Sequence, residues 1–287
     1  MHTYTNLSVD KILKPISYYV QNSSLYQDSL YVDIRNKVVD SFKELKFEEE
    51  GHKYTLNGKN LIAVSHVCHL YEEKQDFAII AQRYAKKHNL PDWKEIKRQW
   101  DCKGLIGNNG GSFAHEYAEG FHHLLLGELD KIPIYSKRQI CENYYIPFSP
   151  KQEAVVKYFY DILNEGEVPL LSEIRTYWEE LGISGTFDSL IYSTEIEGII
   201  IRDYKTNEKL RNSYLKPLFP PLNYLNNEDL SFYIIQLNLY QIMLENIGIE
   251  IKRREIVWLK DDKTYELISL PDITSLLRLS LPKLLNV

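Results

Sequence analysis

The chain is expected to fold as an α/β layer with a mixed central sheet, and three features of its second half carry that expectation. Ser149-Pro150 opens a helix, with serine as cap, proline in the first turn and Gln152 at the capping-box position. Three strand-like runs follow, at 170–178, 184–192 and 198–204, separated by Gly182 and a polar segment at 193–197. A long helix at 229–246 then leads to another strand at 251–259. Helix, three strands, helix, strand is the order of an α/β layer.

The remaining elements can be taken in order. Residues 1–45 are polar and rich in Tyr, Ser and Asn, with helical periodicity from Ile34 to Leu45 and no assignable task. From Phe47 to Val64 the pattern is that of a β-hairpin, because Asn57-Gly58 favours a tight turn and Tyr54, Leu56 and Leu61 flank it. Three helices are expected next, ending near Trp100. Asn108-Asn109-Gly110-Gly111-Ser112 then reads as a turn that opens a helix to about Leu126. That helix is apolar at Phe113, Tyr117, Phe121, Leu124 and Leu125, the spacing of one buried face. The expected division is an N-terminal hairpin and helical region at 1–107 and a core at 108–287. A Pro-rich connection with Pro217, Pro220 and Pro221 precedes the long helix. Asp261-Asp262-Lys263 turns into a last short strand, and a helix closes the chain.

Composition narrows the function classes. With 287 residues, 44% hydrophobic and 26% charged, the chain is long enough to bury its own core. A formal net charge of −6 argues against a passive electrostatic coat on nucleic acid. It is compatible with a metal-dependent enzyme, whose carboxylate ligands are offset by bound cations. Local basic clusters occur at Lys86-Lys87-His88 and at Lys94, Lys97 and Arg98; such runs are commonly solvated faces. Tyrosine is frequent, at 22 residues, which suits base stacking as well as compositional drift. Cys68, Cys102 and Cys141 are widely spaced with no CxxC pair, so no iron–sulfur cluster or four-cysteine zinc site is expected. No apolar run approaches a membrane span, and the N-terminus lacks the pattern of a signal peptide. A cytoplasmic protein without membrane contact is the expectation.

The chemistry concentrates where an apolar strand ends. Ile199-Ile200-Ile201-Arg202-Asp203-Tyr204-Lys205 closes on an acid, a ring and a lysine, and strand alternation puts Asp203 and Lys205 on one side. An acid-x-lysine triplet occurs eight times in the chain, but only this one closes a near-continuous apolar run. The preceding strand carries Gly185-Thr186-Phe187-Asp188. If the two strands pair through 193–197, Asp188 and Asp203 meet at one end of a hairpin. Two carboxylates there repel unless a cation lies between them, and Mg²⁺ takes such oxygen ligands. His115 sits on the helix after Gly111. Glu173 lies one strand before Asp188. Gln236 and Tyr240 are four apart on the long helix and share a face. As isolated features, Asp188 reads equally as a surface strand end and His115 as a satisfied helical histidine.

Together these residues resemble the PD-(D/E)XK nuclease superfamily, in its RecB-like and lambda-exonuclease-like branch. His115, Glu173, the Gly185-to-Asp188 box, the Asp203-Tyr204-Lys205 box and the Gln236-to-Tyr240 box stand in that branch's order, between about Ser112 and Leu259. His52-Lys53-Tyr54, Ala63-Val64-Ser65 and Pro220-Pro221-Leu222 are further similar to phage-encoded exonucleases related to the mitochondrial genome maintenance exonuclease. Phe187 stands where other members of the superfamily have proline.

The resemblance implies a restriction-endonuclease-like core of order αβββαβ with an added, mainly helical N-terminal part that covers the substrate. It implies Mg²⁺, with Mn²⁺ able to substitute, held by His115, Asp188, Asp203 and the Tyr204 carbonyl. Lys205 would orient water or stabilise charge, Glu173 would bind a water of the ion, and Gln236 and Tyr240 would hold DNA. The implied activity is a DNA exonuclease of phage or bacterial replication, recombination or repair, acting on single strands or free ends in a bacterial or phage-infected cell. The alternatives are an endonuclease of the same fold, a non-catalytic DNA-binding relative and a non-enzymatic interaction protein.

Overall fold

The protein is described from a computed structural model, which covers residues 28–128, 139–141, 144–145, 150–212 and 215–286. Ser149, the expected cap, lies outside the described residues.

Helix α1 (Ser29–Phe42) is capped by Asp28, whose carboxylate accepts from the Leu30 N–H. Strands β1 (Lys46–Glu48), β2 (Lys53–Leu56) and β3 (Lys59–Ala63) form an antiparallel meander. Its β2–β3 turn is the expected Asn57-Gly58, with φ of 50° and 78°, the left-handed values a two-residue hairpin requires. A short helix α2 (Val64–Cys68) and a 3₁₀ turn (His69–Tyr71) follow, then α3 (Phe77–Lys87) and α4 (Trp93–Leu126). A small strand pair, β4 (Gln139–Cys141) and β5 (Tyr144–Tyr145), precedes α5 (Pro150–Asn164). The order then runs β6 (Glu167–Trp178), β7 (Ile183–Ser193), β8 (Gly198–Lys205), α6 (Asp229–Asn246), β9 (Ile251–Leu259), β10 (Tyr265–Ser269) and α7 (Thr274–Leu284).

This is an α/β protein with a mixed central sheet flanked by helices. Strand β7 is antiparallel to both β6 and β8, while β9 runs parallel to β8. The antiparallel pair needs only the 193–198 turn, whereas the parallel pair needs a crossover, which α6 supplies. Helix α6 is apolar nearly all round, and Ile235, Leu237, Leu239, Ile242, Met243 and Leu244 are fully buried. A helix with that pattern can only lie within the core. Among the described residues no helix is long and apolar enough to cross a membrane.

Two expectations of the N-terminal third are corrected. First, 108–112 is not a turn. Helix α4 runs unbroken for 34 residues through both glycines, so the expected boundary at 107/108 falls inside a helix. Gly111 serves packing: a β-carbon there would stand 2.9 Å from the Thr206 Oγ1, so helix and strand end approach closely at this point. Ser112 does not cap; its hydroxyl donates back to the Asn108 carbonyl within the helix. Second, the hairpin is no appendage, because β3 pairs in parallel with the start of β7 and so belongs to the central sheet.

Candidate metal centre

Strand β7 positions the site by the way its neighbours share it. One edge pairs with β6 along almost its whole length. The other edge is divided: Ile183 and Ser184 pair with β3, and Ser189 to Ser193 pair with β8. Residues 185–188, the Gly-Thr-Phe-Asp box, lie in the gap where the sheet opens. The last rung between β7 and β8 is Ser189–Arg202, so Asp188 and Asp203 stand where the strands part. Asp188 Oδ2 accepts from the Tyr204 N–H at 2.6 Å, filling a ladder position that a backbone carbonyl would otherwise hold.

Three ligand-type side chains converge on this point. One ligand atom each from His115, Glu173 and Asp188 lies within 4.8 Å of the other two. His115 reaches the cluster from α4, with its Nδ1 3.2 Å from Asp188 Oδ2 and its ring edge-on to Tyr204. Glu173 reaches it from β6, where the rungs Ser172–Ser189 and Ile174–Phe187 bracket it opposite Asp188. Its φ of 50° is a left-handed value in the middle of a strand, a strain of order 1 kcal/mol for a non-glycine residue. That break in the strand accompanies the carboxylate's entry into the cluster. Asp203 is turned instead to Lys205, with which it forms a close ion pair; Asp203 is buried and Lys205 half-buried. The Lys205 ammonium also lies 4.4 Å from the centre of the Tyr233 ring. Tyr233 is itself fixed by a 2.7 Å hydrogen bond to Asn207 Oδ1, and the Asn207 carbonyl accepts from Trp258 Nε1 at 2.8 Å.

The electrostatics are those of a site short of positive charge. Burial, and then repulsion from Asp188, push the Glu173 carboxyl up to about 8. The same two causes push Asp203 up to about 6 against the pull of Lys205. Burial alone would raise Asp188, but the charge and hydrogen bond of His115 outweigh it and leave that carboxyl below its ordinary value. Burial works against the His115 proton, yet Asp188 outweighs it and lifts the imidazole to about 9. Burial likewise works against the Lys205 charge, but Asp203 and Asp188 hold the ammonium well above its usual range. Lys205 is therefore a fixed positive charge at neutral pH and not a base.

A cleft of about 210 Å³ opens onto these groups, lined by His115, Asp188, Asp203, Lys205, Gln236 and Tyr240 among others. Gln236 Nε2 donates to the Tyr240 hydroxyl at 3.3 Å, and the Tyr240 ring packs on Phe187. Gly185 is needed for this packing, since a β-carbon there would lie 2.8 Å from the Tyr240 ring and 3.0 Å from Val64 Cγ2. Six of the eight expected residues thus line one cleft, Glu173 adjoins them through His115 and Asp188, and Tyr204 adjoins them through its backbone N–H. The structure distributes them differently from the expected ligand set: Glu173 lies with His115 and Asp188, while Asp203 is held by Lys205. The Tyr204 backbone N–H is committed to Asp188.

Sequence reasoning did not assign His52, Tyr54, Ser65 and Thr186 to the site, yet all four line the cleft. The Tyr54 hydroxyl bonds the Thr186 Oγ1 at 3.0 Å. The signal for His52, Tyr54 and Ser65 is the resemblance at 52–54 and 63–65, and that for Thr186 is its place in the Gly185-to-Asp188 box. The β3–β7 pairing that carries those two stretches to the site links residues far apart in sequence. Compared with known proteins, the chain matches no family model, and no curated protein matches it either.

Proposed function

We propose that the protein is a divalent-metal-dependent deoxyribonuclease of the PD-(D/E)XK type, with a restriction-endonuclease-like core, that hydrolyses phosphodiester bonds from a DNA end. The observation that carries the reading is the convergence of His115, Glu173 and Asp188 beside the Asp203–Lys205 pair at the opening of the sheet. An acidic cluster alone is common on protein surfaces. In this one Asp188 is buried and His115 and Glu173 half-buried, an imidazole is included, and two carboxyls, Glu173 and the adjoining Asp203, are pushed above their ordinary range by burial and by repulsion from Asp188.

The donor set fits the ion the reading requires. Carboxylate oxygens suit Mg²⁺ and Mn²⁺, and one imidazole is better tolerated by Mn²⁺. Asp188, Glu173 and His115 would hold the cation, with Asp203 able to join if Lys205 yields. A bound divalent ion supplies charge to offset the phosphate's and activates water for attack at phosphorus. The protein's own groups do the rest. Lys205, kept protonated by Asp203, places positive charge where negative charge develops on the phosphate oxygens. Asp203 positions that lysine. Gln236, Thr186 and Ser65 offer hydrogen bonds along the cleft, and Tyr240 gives it a rigid wall.

The cleft's size favours a single strand at the reaction point. A volume of about 210 Å³ corresponds to a cube about 6 Å on a side, room for a stretch of one strand's backbone but not for the two strands of a duplex side by side. A strand entering so small a site is most readily supplied from a free end. The test is cleavage of end-labelled linear single-stranded DNA beside the same DNA as a closed circle, with Mg²⁺, with Mn²⁺ and with EDTA. Linear DNA is expected to be degraded only with a divalent ion, and the circle is expected to resist. Equal cutting of both forms would make the protein an endonuclease. No cutting of either would end the nuclease reading.

A further inference from the structure

The helical hairpin formed by α3 and the first turns of α4 carries a charge opposite to that of the rest of the molecule. From the cap Asp76 to Lys103 there are seven lysines and arginines against four acids, in a chain whose formal net charge is −6. Helix α3 packs principally on α4, through Ala81, Ala85 and Ile96. Beyond this contact, α4 is exposed on every side from Lys103 to Asn108 before it enters the core at Ala114. The hairpin therefore stands out from the body, joined to it by the α4 stem, by the 72–76 segment and by an ion pair of Lys103 with Glu208 at 3.0 Å.

Four cations lie on its surface: Arg83, Lys86, Lys87 and Lys94. All four are exposed and none forms an ion pair among the described residues, whereas the neighbouring Lys97 and Arg98 are paired with Asp101 and Glu95. Arg83, Lys86 and Lys87 share one face of α3 by their i, i+3, i+4 spacing, and the turn at 88–92 brings Lys94 to the same end. Helix stability accounts for only part of this. Lys86 and Lys87 complement the negative end of the α3 dipole, but Arg83 is mid-helix, and Lys94 lies in the first turn of α4, where a cation opposes the dipole.

We propose that this hairpin is a second nucleic-acid contact that grips the sugar–phosphate backbone of the substrate away from the metal centre. The position is fixed by one element, because α4 also carries His115. Along the helix, Trp93 and His115 are roughly 33 Å apart at ~1.5 Å per residue. That span matches about ten base steps at ~3.4 Å, and fewer if the strand is stretched. The contact is non-specific in sequence, since it is made by charge and not by base edges. Its consequence is a dependence on length: DNA long enough to reach both places binds through both, and a short fragment binds through the cleft alone.

The inference takes its substrate from the nuclease reading, but its test does not depend on cleavage. Binding of labelled single strands of about 30 and about 6 nucleotides is measured in EDTA, by anisotropy, over a range of salt. The proteins are wild type, the variant Arg83→Ala/Lys86→Ala/Lys87→Ala/Lys94→Ala, and a control with Lys252, Lys260, Lys263 and Lys283 replaced by alanine. Alanine preserves the helices, and circular dichroism verifies this. The hairpin variant is expected to lose at least tenfold in affinity for the long strand and to bind the short strand as wild type does. Its salt dependence should shallow by about 3 in log–log slope, at roughly 0.7 per phosphate contact. The control should bind like wild type. Equal losses on both lengths, an equal loss in the control, or polyglutamate competing as well as DNA would each overturn the proposal. Failure of wild type to bind the long strand would do the same. Hairpin-dependent binding without any cleavage, with or without metal, would sustain this inference while ending the nuclease reading.

Discussion

Two buried clusters of charge lie one residue apart on β8, and they are built on opposite plans. Arg202 is almost fully buried and satisfied on every side. Its Nε and Nη2 donate to Glu255 at 2.8 and 2.7 Å, its Nη2 also reaches Glu167 at 2.8 Å, and its Nη1 donates to Glu167 and to the Tyr158 hydroxyl. Asp203 begins the other cluster, where three carboxylates face one lysine and one imidazole, and two of the acids are held above their ordinary range. The first cluster is closed to solvent and complete. The second opens on a cleft through His115, Asp188 and Asp203, and its carboxylates repel one another. Burial of charge by itself therefore does not mark a functional site. A buried charge whose partners leave it unsatisfied does.

The sharpest way to break this comparison is to substitute each strand residue in turn. Asp203→Asn and Lys205→Ala are each expected to lower the cleavage rate about 10³-fold or more, the scale of losing a group that stabilises transition-state charge. Asp203→Asn should fold well, because it removes a carboxylate that is repelled by Asp188, whereas Lys205→Ala leaves Asp203 without its counter-charge and should lose some stability. Arg202→Met should do the reverse. It strands Glu167 and Glu255 without a counter-charge, at a cost of about 3–5 kcal/mol, while the folded fraction keeps its rate to within about tenfold. Urea unfolding and initial rates on the three purified variants check both halves. If Arg202→Met lost activity without losing stability, the division between a structural and a functional cluster would be wrong.

The two clusters also differ in what the sequence discloses. The Asp203-x-Lys205 end was legible because it closes an apolar strand, and Asp188 followed from pairing that strand with its neighbour across a short turn. Arg202 carries no such signal, since its partners Glu167 and Glu255 lie 35 and 53 residues away and no local pattern links them. Strand and helix limits from 150 onward were largely readable, because each element there is strongly apolar. The N-terminal third was read less well. Gly110-Gly111 signals a turn by propensity, yet both lie inside a helix, where Gly111 permits the close approach of Thr206. The parallel β3–β7 pairing cannot be read locally either, and with it went His52, Tyr54 and Ser65 as members of the site. Glu173 was placed on the right strand, but its approach to His115 depends on one left-handed residue that no strand pattern announces.

A gentler perturbation is to supply the missing charge. Mn²⁺ or Mg²⁺ should stabilise the protein against heat by about 2.7 kcal/mol at a concentration one hundred times the dissociation constant. His115→Ala should weaken that response and Asp188→Ala should abolish it. Arg202→Met should leave the increment intact, since its cluster offers no open ligand. Thermal unfolding with and without the ion reads all four proteins. An equal increment in wild type and Asp188→Ala would place the ion elsewhere.

The smallest effect expected is on the pH dependence of stability without metal, and its sign follows from the shifts. Glu173 rises from an ordinary 4.5 to about 8, and His115 from 6.5 to about 9. Between these limits the folded protein binds more protons than the unfolded chain, so stability falls as pH rises. Asp203, raised from 3.8 to about 6, acts in the same direction at lower pH. His122 acts against them: it is fully buried beside Ser189 and is pushed down to about 3, so it adds stability as pH rises toward 6.5. The clearest window is therefore pH 6.5 to 8.5: His122 is neutral in the folded protein throughout, and its titration in the unfolded chain is complete within about one unit above 6.5. There the metal-free protein should lose on the order of 1–2 kcal/mol, within the ~1.4 kcal/mol per pH unit that one retained proton permits. Bound cation should flatten or reverse the slope, because binding displaces those protons and strengthens as pH rises. Urea unfolding at several pH values, in EDTA and in Mn²⁺, measures both slopes. Metal-free stability that stayed level across this window would mean that the carboxylates beside Asp188 are already relieved without a cation, and the contrast with the closed Arg202 cluster would lose its basis.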